Sequence, residues 1–280
     1  MNAAALSARY RTAFVTGAST GLGLAFTEML LGNGVEVWGT SRDLKRLPQR
    51  DKFHAVALDL GNGEEAERAF LAADQAAAGF DLVINNAGFG AFGSFAHTDF
   101  SLWEEQFRVM LVNTARLSSL ALRGMLSRRR GALVNISSIA GEFGMPYQAT
   151  YNAIKAGLSA LNESLMYELT ETGVVVLDFR PGDYRTDFEG SVRRPTQDSA
   201  LAADPIHSNR MARAWKAFVG MMESGPPPAH AAESLRRALL RGRSGTVRTG
   251  RFFQARLGPF LARFGSLALR RRIQEKYFGL

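Results

Sequence analysis

Short apolar runs alternate with longer amphipathic stretches through most of this 280-residue chain. Residues 12–16, 35–40, 55–58, 81–85, 132–136 and 174–179 are brief and dominated by apolar side chains, and they read as buried strands. Between them, helical periodicity runs from the glycine-rich segment at Gly17 through Leu31, then over residues 64–78, 101–127 and 151–172. Strand followed by helix, repeated over the first 180 residues, predicts an α/β fold. Its core is a doubly wound parallel sheet of about seven strands with helices on both faces. No repeat of short period and no low-complexity linker divides the chain, so residues 1–250 are expected to form one domain.

Two later segments carry different patterns. Residues 183–228 form an insertion in which Met211, Trp215, Phe218 and Met222 recur at helical spacing on one face. That face suits either a lid over a bulky apolar substrate or simple packing on the body. Asp183, Tyr184, Arg185, Arg193 and Arg194 add polarity near such a lid and leave room for an acidic group on the substrate. Gly225 through Pro228 ends the insertion before a further helical stretch, residues 229–240. In residues 251–280, Phe252, Phe253, Leu257, Phe260, Leu261, Phe264, Leu267 and Leu269 are interleaved with arginines. This extension matches a peripheral contact with an anionic membrane, or docking on the body or on a partner subunit. Gly258-Pro259 and Gly265 are expected to break it into short pieces.

Charge sharpens that division. The chain carries a formal +8, yet residues 251–280 hold seven Lys and Arg against the single acid Glu275, which leaves +2 for the first 250 residues. With a nearly neutral body, the charge is no argument for nucleic-acid binding by that body, and no nucleic-acid partner is expected. There are no cysteines, which removes disulfides, thiol catalysis and zinc–thiolate sites. The four histidines show no metal-ligand spacing, so no metal is expected. Residues 1–11 lack the basic flank and apolar run of a secretory signal, and no apolar run approaches a membrane span; the expectation is a cytoplasmic protein, peripheral to a membrane at most.

The candidate chemistry sits at strand ends. Gly17-Ala18-Ser19-Thr20-Gly21-Leu22-Gly23 joins a strand to a helix, where glycines let a pyrophosphate approach the backbone and the helix start offers free N–H groups. The second strand ends at Ser41-Arg42-Asp43; Ser41 and Arg42 stand where an acid would select NAD, and they favour a 2′-phosphate, hence NADP. Asp59-Leu60 and Asn85-Asn86-Ala87-Gly88 close the next two strands. Asn113 lies inside a long helical pattern, as a surface accident or as a polar post aimed into a site. Tyr151 and Lys155 share a helix face at i, i+4, and a cation fixed beside the phenol is expected to lower its pKa into a usable range. Ser138, thirteen residues upstream of Tyr151, ends a strand from which it could bind the same substrate oxygen.

Taken in order, Thr16 to Gly23, Asp59-Leu60, Asn85 to Gly88, Asn113, Asn135 to Ser138, Tyr151 to Lys155, Pro181-Gly182 and Thr186 resemble the short-chain dehydrogenase/reductase family over residues 10–250. The resemblance implies a Rossmann-like fold and hydride transfer between NADP(H), preferred over NAD(H), and a carbonyl or secondary alcohol. It makes Tyr151 the general acid/base and Lys155 the residue that lowers its pKa and binds the nicotinamide ribose. Ser138 becomes the hydrogen-bond partner of the substrate oxygen, and Asn113 the holder of a water in a proton relay. Gly17, Gly21 and Gly23, with Ser19, Thr20 and Leu22, would cradle the pyrophosphate. Ser41 and Arg42 would face the adenosine ribose, and Asp59 and Leu60 the adenine. Asn86, Ala87 and Gly88 would support the cofactor, while Pro181, Gly182 and Thr186 would flank the nicotinamide. The expected substrate is a small apolar molecule: a lipid-, steroid- or retinoid-like or long-chain ketone or alcohol. A homodimer or homotetramer through the two long helices is also implied. The rival reading is a cofactor-binding regulatory or scaffolding protein of the same fold, without turnover.

Overall fold

The computed structural model describes residues 6–194 and 204–280; residues 195–203, part of the predicted insertion, lie outside the described residues. Seven strands form one sheet: β1 (Thr12–Val15), β2 (Glu36–Ser41), β3 (Phe53–Ala57), β4 (Leu82–Asn85), β5 (Gly131–Ile136), β6 (Val174–Pro181) and β7 (Gly245–Thr249). Their order is β3-β2-β1-β4-β5-β6-β7, with every neighbouring pair parallel. Such a sheet is covered on both faces, which is why its central strands are continuous apolar runs rather than alternating ones. The order reverses between β1 and β4, and a crevice opens there at the carboxyl ends of the strands.

One face is packed by α1 (Gly21–Gly32) and a later helix, Pro228–Arg241, through Phe26, Leu30, Leu235 and Leu239. The opposite face takes α2 (Gly63–Ala76), α3 (Phe100–Phe107), α4 (Asn113–Arg128) and α5 (Ala149–Glu168). Phe70, Leu117, Met125, Ile154 and Leu158 are among the buried residues on these helices. The pattern over residues 101–127 predicts one continuous helix; instead, α3 and α4 are joined by a π-turn at Arg108–Val112. The extra residue per turn rotates α4 relative to α3. It leaves Asn113 buried and facing the loop after β3, where its amide Nδ2 donates to the Leu60 carbonyl at 2.7 Å. Ahead of the turn, the side-chain oxygen of Gln106 accepts from the Thr150 hydroxyl at 2.5 Å and so ties α3 to the start of α5.

After β6 the chain makes a single turn at Phe188–Ser191, then α6 (Pro205–Glu223), α7 (Pro228–Arg241) and β7. β7 is absent from the strands read off the sequence, because Gly245–Thr249 is short and half polar; it is the outer strand beside β6. The extension comes next, as a π-turn (Phe253–Leu257), α8 (Gly258–Phe264) and α9 (Leu267–Phe278). Gly258-Pro259 does not break it: Gly258 keeps helical angles and Pro259 falls in the first turn of α8, where a missing N–H costs nothing. Gly265 does end α8, in extended conformation.

The extension docks on α6. Phe278, 1% exposed, sits in a cluster with Phe92, Met211, Ala214, Phe218 and Met222, so the apolar face foreseen on α6 is covered by the far C-terminus. Emptying that position, Phe278→Ala, should remove about 3–5 kcal/mol of packing. The expected readout is accelerated hydrogen exchange over residues 267–278 with the sheet unchanged; unaltered protection there would contradict the docking.

Candidate active site

The glycine turn comes first because the backbone dictates it. Gly17 and Gly21 have φ of +69° and +58°, a region that costs any residue with a Cβ. Thr16 stitches the turn to the end of β4, its hydroxyl accepting from the N–H groups of Asn86 (2.9 Å) and Ala87 (3.0 Å). The Asn86 amide donates to the carbonyls of Thr16 and Gly17 at 3.0 and 3.2 Å. Asn86 therefore shapes the turn from beneath. Gly23 plays a different part from the one expected: it is buried and does not face the cleft. A Cβ on it would stand 2.0 Å from the Gly17 carbonyl oxygen, so its role is close packing of α1 on the turn.

One cavity of about 890 Å³ runs from this turn to the extension. Its wall includes Gly17, Ser19, Thr20, Gly21, Leu22, Ser41, Arg42, Asp59, Leu60, Asn86, Ala87 and Gly88 at one end. Ser138, Tyr151, Lys155, Pro181, Gly182 and Thr186 line its middle. Of the residues assigned from sequence, Gly23 and Asn113 stand behind the wall. Thr20 precedes α1 without a side-chain cap, so the first N–H groups of the helix lack an internal acceptor and offer an anion site facing the cavity. At the β2 end, the Asp43 carboxylate accepts from the Lys45 N–H at 3.0 Å, while Arg42 and Arg46 stay exposed at the rim. A dinucleotide carrying a pyrophosphate fits this set of donors. Arg46, Thr40 and the apolar wall of Val109 and Met110 belong to it too, and no sequence motif marks them.

The middle of the cavity holds the reactive groups. Tyr151 is in the first turn of α5, and Lys155 one turn on donates from Nζ to the Ile136 carbonyl at 2.7 Å. Its Nζ stands 5.6 Å from the centre of the Tyr151 ring. Ser138 hydrogen-bonds the Tyr151 phenol. Ser137, its neighbour, turns the other way and donates to Asp178 and to the Phe179 carbonyl. The two serines follow the end of β5 in extended chain and bond to different partners, which leaves Ser138 on the phenol.

The electrostatics differ from the simple cation–phenol picture. Burial pushes the Tyr151 phenol up to about 12, with Asp183 adding to the rise and the Ser138 hydrogen bond opposing it. Burial also pulls Lys155 down to about 8, against the pull of the Asp178 carboxylate. The lowering of the phenol expected from its lysine is not found: removal from water dominates, and the one opposing influence is Ser138. The two buried groups shift in opposite directions, and each shift favours the neutral form.

The far wall is built by residues the motifs do not mark. Phe218, Met221 and Met222 of α6 and Phe253, Leu261, Ile273 and Tyr277 of the extension enclose it with Ile139, Phe143 and Met145. Gln254 anchors this roof: its amide donates to the Asp183 carboxylate, and its side-chain oxygen accepts from the Asp183 N–H at 3.2 Å. A Cβ at Gly182 would lie 2.5 Å from that oxygen, so this glycine is what lets Gln254 in. Arg193 reaches the cavity with its charge paired to Glu105 at 2.5 Å, and Arg194 stacks on Trp215 at 4.4 Å. Among the described residues, no group of three or more His, Asp and Glu is placed to hold a metal ion.

Comparison with known proteins fits this arrangement. A family model described as short chain dehydrogenase matches residues 11–197. The 3-oxoacyl-(acyl-carrier-protein) reductase FabG of Vibrio cholerae is 31% identical over 200 residues, covering 70% of this chain and 82% of that protein. A short-chain dehydrogenase of Streptomyces avermitilis superposes with a TM-score of 0.78 at 26% identity, over 95% of this chain and 96% of that one. A short-chain dehydrogenase of Burkholderia cenocepacia, in complex with NADP, shares the fold with a TM-score of 0.72 at 22% identity, over 95% and 98% of the two chains.

The site's charge balance is open to measurement. Lys155 should titrate near 8 in the isolated protein, followed by NMR of labelled lysine, and Asp178→Asn should move it lower, since the carboxylate is what holds it up. A lysine titrating at about 10 or higher in both proteins would contradict the burial described.

Proposed function

The chain belongs to the short-chain dehydrogenase family, NAD(P)-dependent oxidoreductases acting on CH–OH groups, and on that premise we propose an NADP-preferring carbonyl reductase. Run in reverse, the same enzyme oxidises the secondary alcohol. The substrate in this reading is apolar: a lipid-like or other long-chain ketone. One observation carries it: Ser138, Tyr151 and Lys155 open into a cavity whose one end is the glycine turn and whose other end is roofed by Met, Phe and Leu side chains. The named activity of the Vibrio relative, on an acyl-chain ketone, is consistent with such a roof.

Bound in the cleft, the nicotinamide coenzyme supplies the hydride for reduction and accepts it in oxidation. Tyr151 gives its proton to the carbonyl oxygen, and Ser138 donates to the same atom as negative charge gathers on it. A phenol pushed up to about 12 is fully protonated at neutral pH and ready as the acid. Lys155, at about 8, is charged at neutral pH and favours the phenolate left behind. Its bond to Ile136 fixes the ammonium on the β5 side, where the nicotinamide ribose would lie. Asn113 commits its amide to Leu60, holding the loop that carries Asp59, so any water relay from it would run through its main chain. At the opposite end, Arg42 and Arg46 would take the 2′-phosphate, with Asp43 occupied in capping its own turn.

The reading also includes a homodimer or homotetramer through α4 and α5, supported by Val112, Leu126 and Tyr167 left exposed along that side. It includes a cytoplasmic protein in peripheral contact with a membrane through residues 251–280. Among the described residues, no helix is long and apolar enough to cross one.

Three outcomes are expected. Tyr151→Phe should lose turnover by a factor of about 100 or more while binding NADPH nearly as well as the unmodified enzyme. In the unmodified enzyme, kcat/KM for alcohol oxidation should climb with pH, because the phenolate it needs forms only toward the raised pKa, whereas reduction needs the phenol and should not climb. Retained turnover, or a flat oxidation profile, would remove Tyr151 from this role. Arg42→Ala should weaken NADPH by about tenfold and leave NADH nearly unchanged; equal weakening of both would overturn the coenzyme preference.

A further inference from the structure

The outer side of the extension bears a second pocket, of about 560 Å³, unrelated to the catalytic cavity. Five arginines line it: Arg237 and Arg241 from α7, Arg248 from β7, and Arg256 and Arg263 from the π-turn and α8. No acid lines it. Arg237 is bonded to Glu233 and Arg248 to Glu142, but Arg241, Arg256 and Arg263 have no carboxylate partner among the described residues. Like charges gathered at one concavity repel, and the arrangement gains free energy only when an anion enters. Arg241 also sits in the last turn of α7, where the end of the helix favours a cation.

Apolar side chains surround this pocket on the same extension. Phe260 forms part of its wall and is 58% exposed; Phe264, packed against it with ring centres 5.0 Å apart, is 68% exposed. Phe252, Leu257 and Leu267 are exposed as well. Aromatic and aliphatic groups that stand in water beside unpaired arginines have the chemistry of a surface meeting lipid: the rings enter the acyl boundary and the guanidinium groups meet phosphate. The inner side of the same segment, through Phe253, Leu261 and Tyr277, roofs the catalytic cavity. A lipid-like substrate leaving a bilayer would therefore meet the roof of the site first.

We propose that the pocket of Arg241, Arg256 and Arg263 is a headgroup site for anionic phospholipid, which seats the extension on a membrane surface with Phe260 and Phe264 inserted. This rests on the reading of the protein as an enzyme of apolar substrates, and deepens it by naming the docking site and its ligand.

The test is co-sedimentation of the full chain with vesicles of phosphatidylcholine alone and with about 30 mol% phosphatidylglycerol. Three proteins are compared: the unmodified chain, Arg241→Gln/Arg256→Gln/Arg263→Gln, and Phe260→Ser/Phe264→Ser. The expected result is about tenfold stronger partitioning onto the phosphatidylglycerol vesicles, lost in the triple-arginine variant and reduced in the phenylalanine variant. Equal partitioning onto both vesicle types, or an unaffected arginine variant, would overturn the proposal. Protection against thermal unfolding by inorganic phosphate, with no preference between vesicle types, would make this a phosphate site instead. Loss of an oligomer in either variant, seen by sedimentation velocity without lipid, would make the face a contact between copies. NADPH-dependent turnover of a water-soluble ketone is followed in parallel. It should be unchanged in both variants, so that failure of docking and failure of the catalytic reading stay distinct.

Discussion

The geometry of the site hangs on one buried carboxylate, Asp178, and the polar chain that converges on it. Asn85 of β4 donates to Asn135 of β5 at 2.8 Å, Asn135 to Asn162 of α5 at 2.6 Å, and Asn162 to Asp178 of β6 at 3.1 Å. Ser137 and Arg180 also donate to Asp178, and Arg180 continues through Glu142 to Arg248 at the surface. These links lock three strands and the helix bearing Tyr151 and Lys155 into a single arrangement. Such a chain is costly unless its members find partners, and for that reason it admits few alternatives. It also puts a negative charge within the field of Lys155, which keeps that buried lysine from dropping further.

Burial at this centre has a chemical consequence. A phenol and an ammonium removed from water are each driven toward neutrality, and the site departs from the i, i+4 argument for that reason. The phenol stays protonated at neutral pH, while the lysine keeps its charge there only because its pKa of about 8 lies just above. Ser138 is the one neighbour that pulls the phenol down, so its hydroxyl tunes Tyr151.

The C-terminal extension roofs the far end of the cavity. Its inner residues are held by Phe278 in the α6 cluster and by Gln254 on Asp183, whose charge acts on Tyr151. Its outer residues keep arginines and aromatic rings in water. The basic excess of the tail is thus divided: Arg256 and Arg263 line the outer pocket, while Arg270 lines the cavity that holds Tyr151 and Lys155.

Sequence alone determined the alternation of strands and helices, the glycine turn, and the set Ser138, Tyr151 and Lys155, because these depend on local period and on spacing along one element. It also placed the basic charge in the last thirty residues. Tertiary structure decided the rest. The π-turn before Asn113 is announced by no local propensity. Gly23 and Gly182 are glycines because other groups press on them, the Asn86 amide on the first and Gln254 on the second, contacts 63 and 72 residues away along the chain. Strand β7 is too short and too polar to declare itself and exists through its pairing with β6. The roof over the substrate is equally silent, since the apolar residues of α6 and α9 carry a helical period but no sign of which surface they will cover. Periodicity says that a face must be buried; only the folded chain says against what.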